Sequence, residues 1–166
     1  MWKSRILIVV IAVVGLGLGW VSAQQQGGRA GALSGQDYEE IKALYARYNQ
    51  GSDFQDADLF VSAFSEDGVI TRAGGSVEGM AALRAERAER YQGQTGDVGR
   101  RHLNGSYLIT PTVGGAKGRA YYVLLDVTSR PPTMTASGYY EDEFVRTSAG
   151  WRIKRRVYTQ QMPPAQ

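Results

Sequence analysis

Cysteine is absent from the 166 residues, and histidine occurs once, at His102. With no disulfide available, the hydrophobic core alone has to carry stability. The same two facts leave the usual zinc ligand set unfilled, so no metal site is expected. A dominant charge of one sign is missing too. Of the 19 basic side chains, Lys3 and Arg5 lie in the first five residues, and the 17 that remain stand against 16 acidic ones. That balance offers no electrostatic footprint for nucleic acid. Long apolar runs are also lacking, with a single exception at the N-terminus.

The exception is Ile6 to Val21, 16 residues behind Lys3 and Arg5, punctuated by Gly15, Gly17 and Gly19. A membrane-spanning helix needs about 20 apolar residues. Val21-Ser22-Ala23 has the small residues that signal peptidase accepts, so residues 1–23 read as a cleaved signal peptide with Gln24 as the first mature residue. This implies a periplasmic or secreted protein. The alternative is an uncleaved membrane anchor over residues 6–21. Residues 24–33, rich in Gln and Gly, read as a flexible leader, residues 34–160 as one domain, and residues 161–166 as a disordered tail.

Within the domain, Ser34 is placed to cap a helix whose first turn carries Asp37, Glu39 and Glu40. Ile41, Leu44, Tyr45 and Tyr48 recur at spacings of three and four and form its apolar stripe. Gly51 is expected to end it. Asp56 can cap a second helix with Leu59, Phe60, Ala63 and Phe64 facing inward, and Glu66-Asp67-Gly68 reads as a turn into a strand over 69–72. A third helix is expected over 77–91, with Met80, Leu83 and Arg87 inward and Arg84, Glu86, Glu89 and Arg90 solvated. From Arg100 the period changes to two, and four strands are expected, near 101–111, 117–130, 133–147 and 151–160. Their separators, Pro111 with Gly114-Gly115, Pro131-Pro132 and Ser148-Ala149-Gly150, are of hairpin length. The order α-α-β-α-β-β-β-β describes an α+β domain, three N-terminal helices against a mainly antiparallel sheet.

Familiar chemical motifs fail. Gly114-Gly115 to Gly118 joins two strands and lacks the helix of a phosphate loop, and no serine nucleophile elbow is present. What remains is an Asp in a helix break, Asp53, and the sole imidazole. Alternation puts His102, Asn104 and Ser106 on one strand face, an odd set for a plain core. It also puts Tyr140, Asp142 and Phe144 inward, which obliges Asp142 to find a partner such as Arg119 or Arg155. Inward Tyr48, Tyr140 and one of Tyr121 and Tyr122 would line an apolar pocket with a few hydroxyls. By itself, an Asp after a helix-ending glycine is more often a solvated turn or capping residue.

Six pieces in this order, YARY at 45–48, D-x-x-D-A-D-x-F-x-x-x-F from Asp53 to Phe64, EDG at 66–68, R-H at 101–102, G-x-Y-x-D at 138–142 and GWRI at 150–153, resemble the SnoaL-like branch of the nuclear transport factor 2-like superfamily. The resemblance covers nearly all of residues 34–160. It implies a cone-shaped α+β barrel in which a strongly curved sheet wraps helices around a pocket. Scytalone dehydratase and the polyketide cyclases are the similar proteins of known chemistry, with ketosteroid isomerases more distant. The dehydratase's pocket Asp and His fall by motif on Asp53 and His102. The chain departs from that pattern with Ser52 where the dehydratase has Tyr, and with tyrosines near 121–122 and 140 where it has its second His and its Asn.

The resemblance thus implies a small-molecule pocket with Asp53 as base or water-positioning group and His102 as its partner or general acid. Tyr48, Asn104, Tyr122 and Tyr140 are the expected substrate-binding residues. A carboxylate in an apolar pocket gains basicity, which suits proton abstraction beside a carbonyl. The implied activity is a lyase, isomerase or cyclase reaction on a small apolar or aromatic carbonyl compound, with no cofactor. A non-catalytic ligand-binding or accessory protein on the same fold is the alternative. A homodimer is the expected assembly, with no nucleic acid partner, and membrane contact only if the N-terminal segment is uncleaved.

Overall fold

Ser34 opens the first helix, α1 (Gly35–Asp53), with a reciprocal cap: its Oγ accepts from the Asp37 N–H at 3.2 Å, and Asp37 Oδ2 accepts from the Ser34 N–H at 2.8 Å. The computed structural model describes residues 31–161. The expected signal peptide (1–23), most of the leader (24–33) and most of the tail (161–166) lie outside the described residues.

α1 does not stop at Gly51. It runs on to Asp53, and Gln55, at φ 54°, makes the left-handed step while the Asp56 N–H bonds back to the Gly51 carbonyl at 2.8 Å. Gly51 is required for a different reason. A Cβ there would stand 2.5 Å from the backbone N of Phe60, so the glycine lets α2 (Ala57–Val61) press onto α1. Asp56 caps α2 as expected, its Oδ1 accepting from the Leu59 N–H at 2.9 Å. Asp53 is therefore the last residue of a packed helix, not part of a free loop.

Glu66-Asp67-Gly68 is not a turn. It lies inside β1 (Phe64–Arg72), where the pairing with the last strand shifts between Phe64 and Val69. A short strand unmarked by the sequence pattern follows, β2 (Gly75–Glu78), paired antiparallel to β1. It takes the residues expected to open the third helix. α3 (Met80–Tyr91) begins only after Gly79, which sits at φ 88° and donates its N–H to the Gly68 carbonyl at 2.8 Å. Four strands follow among the described residues: β3 (Arg100–Thr112), β4 (Gly115–Asp126), β5 (Thr133–Thr147) and β6 (Gly150–Gln160). The order is therefore α-α-β-β-α-β-β-β-β.

The six strands form one mixed sheet in the order β2-β1-β6-β5-β4-β3, open at both edges and parallel only between β1 and β6. Three helices lie against it, the cone-shaped α+β arrangement without closure of the barrel. Ile41, Leu44, Tyr45 and Tyr48 of α1 pack with Phe60, Phe64, Ile70 and Leu83 and with Tyr122, Tyr140, Phe144 and Ile153 of the sheet. Trp151 ties β6 to the start of α1, donating its indole N–H to Asp37 Oδ1 at 2.9 Å.

Two bulges decide what faces this core. In β3 the register shifts between Gly105 and Leu108, with Ser106 at φ 53°, and Tyr107 then packs edge-on against Tyr45 at 5.1 Å. Ser106 is exposed, so it does not share the His102 face as plain alternation requires. In β6 the pairing steps from Phe144↔Ile153 to Glu143↔Arg155, so Lys154 is the extra residue and Arg156 turns inward in place of Arg155. Arg156 is the partner of Asp142. Its Nε and Nη2 donate to the two carboxylate oxygens at 2.7 and 2.8 Å, while the expected partner Arg119 pairs with Glu141 on the outer face. Burial works against the Arg156 charge, but the Asp142 carboxylate outweighs it and holds the guanidinium above the usual arginine range. The rings of Tyr45, Tyr48 and Tyr140 surround the cation at 4.9, 4.2 and 4.2 Å.

Candidate functional site

The end of α1 meets the start of β3 through one carboxylate. Asp53 Oδ2 accepts from the backbone N–H of His102 at 2.8 Å, and Oδ1 lies 2.5 Å from the His102 ring Nδ1. Both carboxylate oxygens are thus engaged by a single residue, and Asp53 is only 3% exposed. A carboxylate in this position accepts, so the Nδ1 carries the proton and the neutral ring has its lone pair on Nε2. No group among the described residues holds Nε2. The same bonds fix the ring plane, because one oxygen grips the backbone and the other the side chain.

His102 lines a cavity of about 620 Å³, within the range of small-molecule sites. Asp53 stands behind the ring and does not line it. Tyr48 contributes from α1, Leu124 from β4, and Val157 and Tyr158 from β6. Four arginines also line it: Arg72 of β1, Arg87 and Arg90 of α3, and Arg100 at the start of β3.

Of the residues expected in the site, His102 and Tyr48 reach the cavity and Asp53 reaches it through His102. Tyr122 and Tyr140 are 1% and 0% exposed and form a layer behind it. Their rings stack at 5.0 Å, and Tyr122 stacks on Tyr158 at 5.2 Å while donating its hydroxyl to the Tyr158 oxygen at 2.8 Å. Burial pushes the hydroxyls of Tyr122, Tyr140 and Tyr158 above the usual tyrosine value, so all three stay neutral in the physiological range. Asn104 is not in the cavity lining. It bonds to the Asn49 side chain and donates to the Tyr121 carbonyl at 3.1 Å, fastening β3 to α1 and β4.

Tyr158, Arg72, Arg90 and Arg100 were not marked as site residues by sequence patterning. Tyr158 shares the inward face with Arg156 only once the Lys154 bulge is counted. Arg87 carried a signal, since it recurs with Met80 and Leu83 at helical spacing, and its guanidinium lies 4.1 Å over the Phe60 ring. Arg90 is 57% exposed, as expected of a solvated face, whereas Glu86 is drawn into an ion-pair group at the cavity, pairing with Arg72 at 3.1 Å and with Arg87 and Arg90 at 3.3 Å.

Three helices packed on an open six-stranded mixed sheet are the arrangement of the nuclear transport factor 2-like class. Within that class the chain belongs to the SnoaL-like family, whose domain model matches residues 34–157. Solved structures share the fold. A protein of unknown function with a cystatin-like fold from Nostoc punctiforme is 20% identical, with a TM-score of 0.70 over 79% of this chain and 96% of its own. Rv3472 of Mycobacterium tuberculosis, also of unknown function, is 26% identical, with a TM-score of 0.67 over 77% and 78%. A nuclear transport factor 2-like protein from Novosphingobium aromaticivorans is 28% identical, with a TM-score of 0.62 over 74% and 80%. No curated protein matches the chain.

Proposed function

We propose that this SnoaL-like protein acts on a small carbonyl compound as a cofactor-independent dehydratase, isomerase or cyclase, with His102 as the acid–base group and Asp53 as the residue that orients it. One observation carries the proposal: a buried carboxylate binds both the backbone N–H and the Nδ1 of His102, leaving Nε2 as the free nitrogen of a ring that lines the cavity. In this reading the base is His102, where the sequence suggested Asp53 as base or water-positioning group and His102 as its partner or general acid. Asp53 has both oxygens occupied and no direct exposure to the cavity, so a substrate proton would pass to Nε2. Tyr158, neutral and on the cavity wall, donates to Gln160 Oε1 at 3.3 Å and would turn that hydroxyl toward a developing enolate oxygen.

Proton–deuterium exchange beside the carbonyl of a panel of aromatic ketones, followed by NMR, tests this reading. General acid–base catalysis contributes about 10²–10⁴-fold, so His102→Gln is expected to lose a factor of that order. Asp53→Asn is expected to lose part of it by releasing the ring. Unchanged exchange in both variants would end the catalytic reading.

Non-catalytic ligand binding is the second reading, supported by the withdrawal of Tyr122, Tyr140 and Asn104 from the cavity. A ketone that binds against His102 and never exchanges would favour it. We also propose export from the cytoplasm, supported by the signal-like residues 1–23, and a homodimer, supported by the exposed Leu103, Leu108, Tyr121 and Met134 of the sheet. Cleavage after Ala23 by mass spectrometry and a dimer mass in sedimentation are the respective checks.

A further inference from the structure

We infer that the ligand of this cavity carries an anionic group, a carboxylate on an apolar body, taken by the arginines of α3, β1 and β3. The inference rests on the His102 cavity being the ligand site and does not depend on the ligand being turned over. Four guanidiniums, Arg72, Arg87, Arg90 and Arg100, line the cavity, and the ion pairs reaching them converge on one carboxylate, Glu86. Arg100 has no carboxylate partner among the described residues; its Nη2 donates to the Ser52 carbonyl at 3.4 Å. Asp53, the other acid nearby, is taken up by His102. The wall is therefore positive by about three charges.

Burial makes this excess informative at Arg72, Arg87 and Arg100, while Arg90 is 57% exposed. The Arg87 side chain is 6% exposed, and its Nε is buried without a hydrogen-bond partner among the described residues, as are Arg72 Nη2 and Arg100 Nε. A buried donor left unpaired is costly, and a buried cation more so. Stacking on Phe60 supports the face of the Arg87 guanidinium but satisfies none of its N–H groups. Planar guanidinium forks match a carboxylate in geometry and charge. The rest of the wall combines Tyr48, Leu124, Val157 and Tyr158, which suit a ring system beside His102, with the polar side chains of Ser52, Thr71, Thr159 and Gln160. An aromatic or alicyclic acid fits both parts; inorganic phosphate would meet only the first.

Three compounds separate these alternatives by calorimetry on the intact protein: 2-naphthoate, its uncharged counterpart 2-acetonaphthone, and inorganic phosphate. Naphthoate is expected to bind about tenfold or more tightly than the ketone, with the gap shrinking as salt rises and phosphate binding weakly. Arg100→Gln and Arg90→Gln, which leave the buried Arg87 in place, are expected to erase most of the preference. The ring nitrogen signals of His102 report whether the compounds enter the cavity. Ketone binding as tight as naphthoate, with those signals shifted, overturns the anionic ligand and leaves the cavity reading standing. Phosphate binding as tight as naphthoate overturns the apolar body. Failure of naphthoate to bind at millimolar concentration overturns the inference outright. Tight naphthoate binding with no ketone exchange leaves it standing while the catalytic reading fails.

Discussion

Replacing Asp142 by Asn removes one charge from the most deeply buried polar contact of the domain without changing side-chain volume. Asp142 and Arg156 are both 0% exposed at their side chains and joined by two bonds of 2.7 and 2.8 Å. In the variant the guanidinium stays buried with one neutral acceptor and three tyrosine faces. Those ring contacts exist before and after the change, so they do not offset it. Breaking a buried pair by removing one partner costs about 3–5 kcal/mol, and the retained amide acceptor places this case near the lower figure. Against a typical total of about 5–15 kcal/mol, that is a large fraction. With a urea slope of about 1–3 kcal/mol/M, the unfolding midpoint should fall by about 1–3 M at unchanged slope. The double variant Asp142→Leu with Arg156→Met carries no buried charge and should recover most of the loss. A midpoint for Asp142→Asn equivalent to less than about 1 kcal/mol of destabilisation would refute the reasoning, as would a double variant less stable than the single one.

Gly51→Ala drives a Cβ to 2.5 and 2.6 Å from the backbone N and Cα of Phe60, atoms that cannot rotate away. A loss of about 1–3 kcal/mol is expected in the same urea assay, and Asp53, two residues on, should shift with the helix end. The buried tyrosines set the alkaline limit. Burial raises the hydroxyls of Tyr45, Tyr122 and Tyr140 above the ordinary value of 10.0 in the folded protein. The unfolded chain therefore releases those protons first, and the stability they contribute is complete below about pH 10 and lost as the pH rises beyond it. Tyrosinate absorbance should show the exposed tyrosines ionising early and the buried set only together with unfolding.

The elements were legible where local chemistry acts alone. Ser34 and Asp56 cap the helices they were expected to cap, and the alternation of Tyr140, Asp142 and Phe144 in β5 holds because no bulge interrupts those residues. It failed where tertiary pairing inserts a residue. The bulge at Lys154 exchanged Arg155 for Arg156 as the inward cation, and the bulge at Ser106 separated that serine from His102. Gly105 beside Ser106 is the one local mark of a bulge, and nothing in the local residues marks Lys154. Gly51 was misread because a glycine near a helix end signals a terminus, whereas here it signals close approach of a second helix. The Asp53–His102 contact joins residues 49 positions apart. Only the family resemblance could pair them, and it left open which of the two faces the cavity. The arginines were hidden because they come from α3, β1 and β3 and converge only in the fold.

Because the chain has a single histidine, nitrogen-15 labelling of that residue in untagged protein reads the site directly. In the neutral ring, a protonated Nδ1 with a hydrogen-bonded, strongly downfield proton and a bare Nε2 are expected, and Asp53→Asn should abolish that proton signal. A ring protonated on Nε2, or one averaging between tautomers as a solvated imidazole does, would contradict the assignment of His102 as the acid–base group held by Asp53.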